Sequence, residues 1–131
     1  MKFNVVTIFP DLINDFINHG LVSKALAKNI LEVQTWNPRN FSDNHSGRID
    51  DKPFGGGQGM LLQAEPLIKT IDEIKAHNDT HVVFVAPHGE VFNQNKAHEL
   101  KDKKDITIIC GRYEGIDRRA EETSVNEVIS I

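Results

Sequence analysis

The sequence has 131 residues, of which 39% are hydrophobic and 26% are charged, and these values are typical of one soluble globular domain with an apolar core. The formal net charge of −4 argues against a general nucleic-acid-coating protein, because Lys and Arg supply most of the non-specific affinity for phosphates. There is no apolar run long enough to span a bilayer and no signal-peptide pattern at the N-terminus, so we expect a cytoplasmic protein without a membrane partner.

Strand and helix patterns alternate from the start of the chain. Residues 3–9 are rich in β-branched and aromatic residues and predict a buried strand. Apolar residues then recur at helical spacing up to residue 17, which predicts a helix that Asp11 caps and that Gly20 ends. We predict a second short helix at residues 23–29.

The next strand, predicted at residues 30–36, leads into a polar stretch without periodicity at residues 37–59. A connection of that length is usually functional or disordered. Further along, we predict helices near residues 66–74, 93–101 and 117–123, and strands at residues 81–86, 106–110 and 125–131. This order predicts an α/β domain with a mainly parallel sheet and helices on both faces, whose ligands bind beyond the carboxyl ends of the strands.

The glycine-rich segment DDKPFGGGQGM, residues 50–60, is one candidate for chemistry. Its glycines permit positive φ and close backbone approach to a ligand. The spacing matches neither a phosphate-binding P-loop nor a dinucleotide-binding fingerprint, because Met60 stands where the last glycine would be. A plain flexible loop therefore explains the segment equally well.

The segment CGRYEGID, residues 110–117, follows a predicted buried strand and is a second candidate. Arg112 could bind a phosphate or carboxylate, and Glu114 a base edge or an amine, but a turn with solvated side chains is an equal alternative. His88, in the predicted turn at residues 86–90, is expected to be a solvent-exposed turn residue. Cys110 is expected to be a small buried apolar residue, and the histidines show no metal-ligand spacing, so we predict no metal site.

Three motifs in order, IFP at residues 8–10, the glycine-rich segment and CGRYEGID, resemble the bacterial tRNA (guanine-N1)-methyltransferases, and the similarity runs over residues 1–131. VISI at residues 128–131 also matches this family. The resemblance implies a SPOUT-type α/β fold with a trefoil knot. It also implies a homodimer that transfers a methyl group from S-adenosyl-L-methionine to N1 of the guanosine 3′ of the anticodon in a tRNA substrate.

The resemblance also implies site residues. The cofactor set carried over is Phe84, Val85, Ala86, Pro87, Gly111, Arg112, Tyr113, Glu114, Gly115, Ser130 and Ile131. The set expected near the target guanosine is Asp50, Gly55, Gly56, Gly57, Gly59 and Met60. Glu114 and Arg112 are the candidates for direct roles at the reacting base, with Glu114 expected to contact the guanosine rather than to deprotonate it.

This sequence departs from the family pattern in two places. Gln58 stands where the family usually has Pro. The family also continues past the position of Ile131 into a further cofactor loop, an Asp proposed as the general base and a tRNA-binding C-terminal domain. We therefore expect a truncated methyltransferase domain, inactive alone, with an incomplete knot. A non-catalytic nucleotide- or tRNA-binding module is the alternative, and the glycine spacing argues against a dinucleotide-binding enzyme.

Overall fold

A five-stranded parallel sheet forms the centre of the computed structural model, which describes residues 1–53 and 55–131. The strand order is β2-β1-β6-β5-β7, and every pairing between these strands is parallel. The strands are β1 (Lys2–Val6), β2 (Glu32–Trp36), β5 (His81–Val91), β6 (Asp105–Cys110) and β7 (Glu127–Ser130). The predicted α/β class and the mainly parallel sheet are confirmed.

The helices follow the predicted order with shifted ends. They are α1 (Pro10–Ile17), α2 (Gly20–Ala27), α3 (Ala64–His77), α4 (Gln94–Lys101) and α5 (Arg118–Ser124). Two predicted ends are wrong. Asp11 lies inside the first turn of α1 and does not cap it, because Pro10, with φ preset for a helix, already begins the helix. Gly20 does not end α1; its φ of +64° makes the sharp turn from which α2 begins.

Alternating strand residues build two apolar layers, one on each side of the sheet. On one side Val6, Val82 and Ile109 pack with the buried residues of α3 and α5. On the other side Val83, Ile106 and Ile129 pack with Leu100 of α4. Helices therefore cover both faces, as predicted, although α4 leaves an apolar groove of about 640 Å³ beside it.

Cys110, expected to be a small buried apolar residue, is half-buried and lines this groove. Burial raises the pKa of its thiol, which favours the protonated form. The side chain therefore behaves as the apolar residue that the sequence predicts.

The strand predicted at residues 81–86 is longer in the structure, since β5 continues to Val91. Val85 and Glu90 both pair with Ile129 of β7, so β5 meets β7 before and after an excursion formed by residues 86–89. The turn predicted at residues 86–90 corresponds to this excursion. Gly89 is required in it, because an added Cβ would lie 2.6 Å from the backbone N and C of Ile129.

The long polar stretch has more structure than its composition predicts. It contains a short 3₁₀ helix, Pro38–Phe41, whose N-cap Asn37 accepts a hydrogen bond from the backbone N–H of Arg39. The two-residue strands β3 (Asp50–Asp51) and β4 (Leu61–Leu62) then pair antiparallel and enclose the glycine-rich segment, within which Phe54 lies outside the described residues. None of the helices described is long and apolar enough to cross a membrane.

Candidate functional site

The excursion of β5 at residues 86–89 and the turn that follows the carboxyl end of β6 lie side by side. They enclose a cavity of about 350 Å³ together with α5. Its lining consists of Phe84, Val85, Ala86, Pro87, His88, Gly111, Arg112, Tyr113, Glu114, Gly115, Ile116 and Glu121. The structure thus brings together most of the predicted cofactor set at the edge of the sheet where ligands of parallel α/β folds bind.

Ser130 and Ile131, also predicted for the cofactor set, do not line this cavity. The carbonyl of Ser130 accepts a hydrogen bond from the backbone N–H of Phe92 at 2.8 Å. Ile131 is 90% exposed and borders the apolar groove on the other face of the sheet. Val85 and Gly111 line both spaces, so Ile131 shares the apolar groove with two residues of the predicted cofactor set.

The turn after β6 has an unusual backbone that explains its sequence. Tyr113 has a φ of +61° and Gly115 a φ of +126°, and the N–H of Gly115 donates to the carbonyl of Arg112 at 3.2 Å. A Cβ on Gly111 would lie 3.1 Å from the ring of Phe84. The glycines therefore let the chain reverse tightly against β5 and expose the side chains between them.

Backbone hydrogen bonds join this turn to the glycine-rich segment. The N–H of Glu114 donates to the carbonyl of Met60 at 2.9 Å, and the N–H of Leu62 donates to the carbonyl of Gly115 at 3.0 Å. Gly59 lies against the Glu114 side chain, because an added Cβ there would overlap Cγ of Glu114. Two of the residues predicted near the target guanosine, Gly59 and Met60, therefore lie beside Glu114.

The other predicted guanosine-binding residues lie further from the cavity. Gly55 and Gly56 have φ values of +94° and +85°, whereas a Cβ on Gly57 would make ordinary contact with the Pro53 ring. The positive φ that glycines permit is adopted at Gly55, Gly56 and Gly59 but not at Gly57. Asp50 is half-buried in β3, paired with Leu62.

The charged groups around the cavity differ in their partners. The Arg112 guanidinium lies 5.3 Å from the centre of the Phe9 ring, a cation–π geometry. The Arg119 guanidinium instead bonds both carboxylate oxygens of Asp117, at 3.0 and 2.7 Å, and these bonds hold the pKa of Asp117 below its usual range. Since Arg119 is committed to Asp117, Arg112 is the cation better placed for a ligand.

Three lining residues, His88, Ile116 and Glu121, were not assigned to the site from the sequence. His88 Nε2 lies 3.0 Å from Oε1 of Glu121, and the His88 ring packs edge-on to Phe84 at 6.1 Å. His88 was predicted as an exposed turn residue, and its exposure is confirmed. Glu121 carries no local signal in the sequence, because only the packing of α5 brings it to the cavity.

The cavity fits the chemistry of S-adenosylmethionine. Its volume lies within the usual range for small-ligand sites, roughly 300–1,000 Å³. Phe84 and Ile116 offer an apolar wall for an adenine ring, and Glu121 offers an acceptor for hydroxyl or amino groups. Among the residues that the structure describes, no three His, Cys, Asp or Glu side chains come together as a metal site would require.

Comparison with known proteins decides the family. Residues 1–131 match the family model described as tRNA (Guanine-1)-methyltransferase TrmD. The chain belongs to this family. A solved structure of the family, the crystal structure of tRNA (m1G37) methyltransferase from Aquifex aeolicus, superimposes with a TM-score of 0.90 at 38% identity, over 100% of this chain and 59% of that one.

Curated members of the family show the same similarity. The tRNA (guanine-N(1)-)-methyltransferase of Desulfatibacillum aliphaticivorans is 43% identical over 132 residues, which cover 100% of this chain and 50% of that protein. The protein of the same name from Sulfurimonas denitrificans is 41% identical, over 100% of this chain and 57% of that protein. The chain thus spans about half the length of the curated relatives it matches.

Proposed function

We propose that this chain is the cofactor-binding part of a tRNA (guanine-N1)-methyltransferase. The reaction is transfer of the methyl group of S-adenosylmethionine to N1 of the guanosine 3′ of the anticodon. The observation that carries the proposal is the convergence of residues 84–88 and 111–116 around one cavity, in a chain that matches the family over residues 1–131.

The bound cofactor would supply an electrophilic methyl group on a sulfonium. The two turns would hold it, with Phe84 and Ile116 against the adenine and with backbone groups of residues 111–115 in close contact. These turns have to hold a fixed conformation, because alignment of the methyl carbon with guanine N1 supplies much of the rate enhancement in a transfer reaction.

Glu114 would act on the guanosine side of the cavity, where it lies beside Gly59 and Met60. Methylation at N1 would leave the electron pair of the broken carbon–sulfur bond on sulfur and would release the N1 proton to a base. Arg112 would be the donor for the negative charge that develops on O6. In the proposed homodimer the base comes from the partner subunit, as the family resemblance implies.

The direct test is methyl transfer by the full-length protein to two tRNA transcripts. One carries guanosine 3′ of the anticodon, and the matched control carries adenosine at that position. We expect methylation of the first transcript alone, with 1-methylguanosine found by mass spectrometry of the digested RNA. Binding of S-adenosylmethionine and tRNA without any transfer would instead support the non-catalytic binding module.

The homodimer is also part of the proposal, and α1 and α2 support it. Neither helix contains a buried residue, and Leu12, Phe16 and Leu21 are 67%, 66% and 82% exposed. Exposed apolar side chains on neighbouring helices are typical of a protein interface.

We expect the double variant Leu12→Asp, Phe16→Asp to sediment as a monomer. The control variant Lys103→Asp, at an exposed site, should remain dimeric. A dimer in both variants would place the interface elsewhere.

A further inference from the structure

A buried lysine with three carboxylate partners lies outside the cavity. The Lys96 side chain in α4 is only 10% exposed. Its Nζ lies 2.8 Å from Glu99 Oε2, 3.1 Å from Glu90 Oε2 and 3.2 Å from Glu127 Oε2. A lysine this buried is rare unless it is paired, so the three carboxylates account for its position.

The partners of Lys96 come from different parts of the fold. Glu90 follows the excursion of β5, Glu127 begins β7, and Glu99 is on α4 itself. The second oxygen of Glu127 bonds His81 Nε2 at 2.6 Å, and His81 begins β5. The network therefore connects β5 before its excursion, β7, and β5 after its excursion.

Lys96 lies in the first turn of α4, and a side-chain cap fixes this turn. The Asn93 side chain caps α4 by accepting a hydrogen bond from the Lys96 backbone N–H at 2.9 Å. The cap fixes the first turn of the helix beside Val91 and Phe92, which lead into it. Lys96 consequently meets Glu90 from a fixed direction.

The charges of the network are unequal. Three carboxylates surround one ammonium group, and His81 bonds only Glu127. Without the ammonium group, Glu90 would face the half-buried Glu127 with no cation between them. Glu90 is 65% exposed and follows the excursion directly, so repulsion would move it and the preceding residues outward.

We propose that Lys96 is a positioning residue that holds residues 86–89 in their cavity-lining form by bridging Glu90 to Glu127. Ala86, Pro87 and His88 form one wall of the cavity, and Gly89 lies directly on the backbone of β7. The wall can keep its shape only while both ends of the excursion remain on β7. This inference rests on the proposed function for the identity of the ligand, S-adenosylmethionine.

The test compares Lys96→Met, Lys96→Arg and Glu99→Gln with the unmodified full-length protein. Met keeps most of the length of the side chain and removes the charge, whereas Arg keeps the charge. Glu99→Gln is the matched control, because it removes one partner of Lys96 and leaves the bridge from Glu90 to Glu127 intact. Calorimetric titration with S-adenosylmethionine measures the affinity for the cofactor. Hydrogen–deuterium exchange of residues 84–92 measures how often the backbone of the excursion opens.

We expect Lys96→Met to weaken S-adenosylmethionine binding about tenfold, equivalent to 1.4 kcal/mol, and to speed exchange in residues 84–92 but not in α3. Lys96→Arg should recover most of the affinity, and Glu99→Gln should change neither measurement. A lysine that only stabilises the fold would raise exchange across the molecule and leave the affinity of the folded protein unchanged.

Two further results separate the possible failures. If the unmodified protein does not bind S-adenosylmethionine, the proposed function fails, while exchange in residues 84–92 still tests the positioning role. Equal affinity and equal exchange in Lys96→Met and the unmodified protein would overturn the role of Lys96. If Lys96→Met does not fold, Glu90→Gln removes the same bridge from its exposed end and should give a smaller loss of affinity; no loss would overturn the proposal.

Discussion

Glu114 is exposed at the meeting point of the cavity and the glycine-rich segment. Its backbone is fixed by the bond to Met60, and in the described part of the chain no hydrogen bond uses its carboxylate. The carboxylate is therefore still available to a ligand. A group of this kind contributes to binding of whatever enters the cavity from the side of Gly59.

We expect Glu114→Gln in the full-length protein to lower methyl transfer to tRNA about tenfold to a hundredfold, because a hydrogen bond to a charged group contributes roughly 1.5–3 kcal/mol. The affinity for S-adenosylmethionine should change much less, since the carboxylate is expected to contact guanine. Single-turnover rates and calorimetric titration measure the two effects. Equal losses of transfer rate and of cofactor affinity would show that Glu114 contacts the cofactor and not the guanine.

Gly59 supports a second prediction at the residue scale. Its φ of +86° disfavours any other residue, and an added Cβ would overlap the Glu114 side chain. We expect Gly59→Ala to displace Glu114 and to lower methyl transfer at least about as much as Glu114→Gln, by roughly tenfold or more. Gly57→Ala is the matched control, since Gly57 lacks a positive φ and has room for a methyl group. Similar activity in both variants would contradict this role for Gly59.

At the scale of elements, the excursion of β5 depends on one close approach between backbones. A Cβ on Gly89 would lie 2.6 Å from Ile129 and from the carbonyl carbon of Val128, and backbone atoms cannot move aside as a side chain would. We expect Gly89→Ala to destabilise the protein by about 1–3 kcal/mol, the usual cost of overpacking. His88→Ala, one residue away and exposed, should cost much less, and thermal denaturation of both variants compares them.

Most elements could be predicted from the sequence because their periodicity is local. β1 contains the β-branched Val5 and Val6, and β6 contains a run of β-branched residues at positions 106–109. The helix α3 carries its buried residues on one face. The continuation of β5 through Pro87 and Gly89 could not be predicted, since both are ordinary turn residues and only β7, far along the chain, makes that segment a strand.

The residues of the candidate site also divide into those marked by a local sequence pattern and those brought together only by packing. Arg112 and Glu114 were found because two glycines frame them directly after a strand. Glu121 and the bridge from Lys96 to Glu90 and Glu127 arise from packing between separate elements, so no local pattern marks them. Ser130 does not line the cavity, and its place is likewise determined by distant pairing, since it pairs with Val91 of β5.

At the scale of the whole molecule, several carboxylates have lowered pKa values in the folded state. Hydrogen bonds from Lys69 and from Arg119 lower the pKa of Asp43 and of Asp117. Burial opposes this effect at Glu127, but bonds from His81 and Lys96 outweigh it, and the pKa is lowered. Such groups stabilise the fold fully above their unfolded-state pKa values, about 4, and the contribution is lost as the pH falls through the folded-state values.

We therefore expect the melting temperature to fall steeply as the pH is lowered from about 5 to about 3, within the range where carboxylates titrate. Asp117→Asn should make this fall shallower, because Asn can still cap α5 but does not titrate. Melting curves across this pH range, followed by circular dichroism, test the expectation. An unchanged slope in the variant would show that the ion pair with Arg119 does not contribute to acid sensitivity.

The double pairing of β7 with β5 also determines when the cavity can form during synthesis. Residues 84–91 are synthesised before residues 127–130, and until β7 has been made Glu90 and Val91 lack the strand with which they pair. A nascent chain therefore carries an open strand edge at this point, where other chains can pair. The cavity wall at residues 86–88 reaches its final shape only when β7 arrives, so ligand binding there has to wait for residues 127–130.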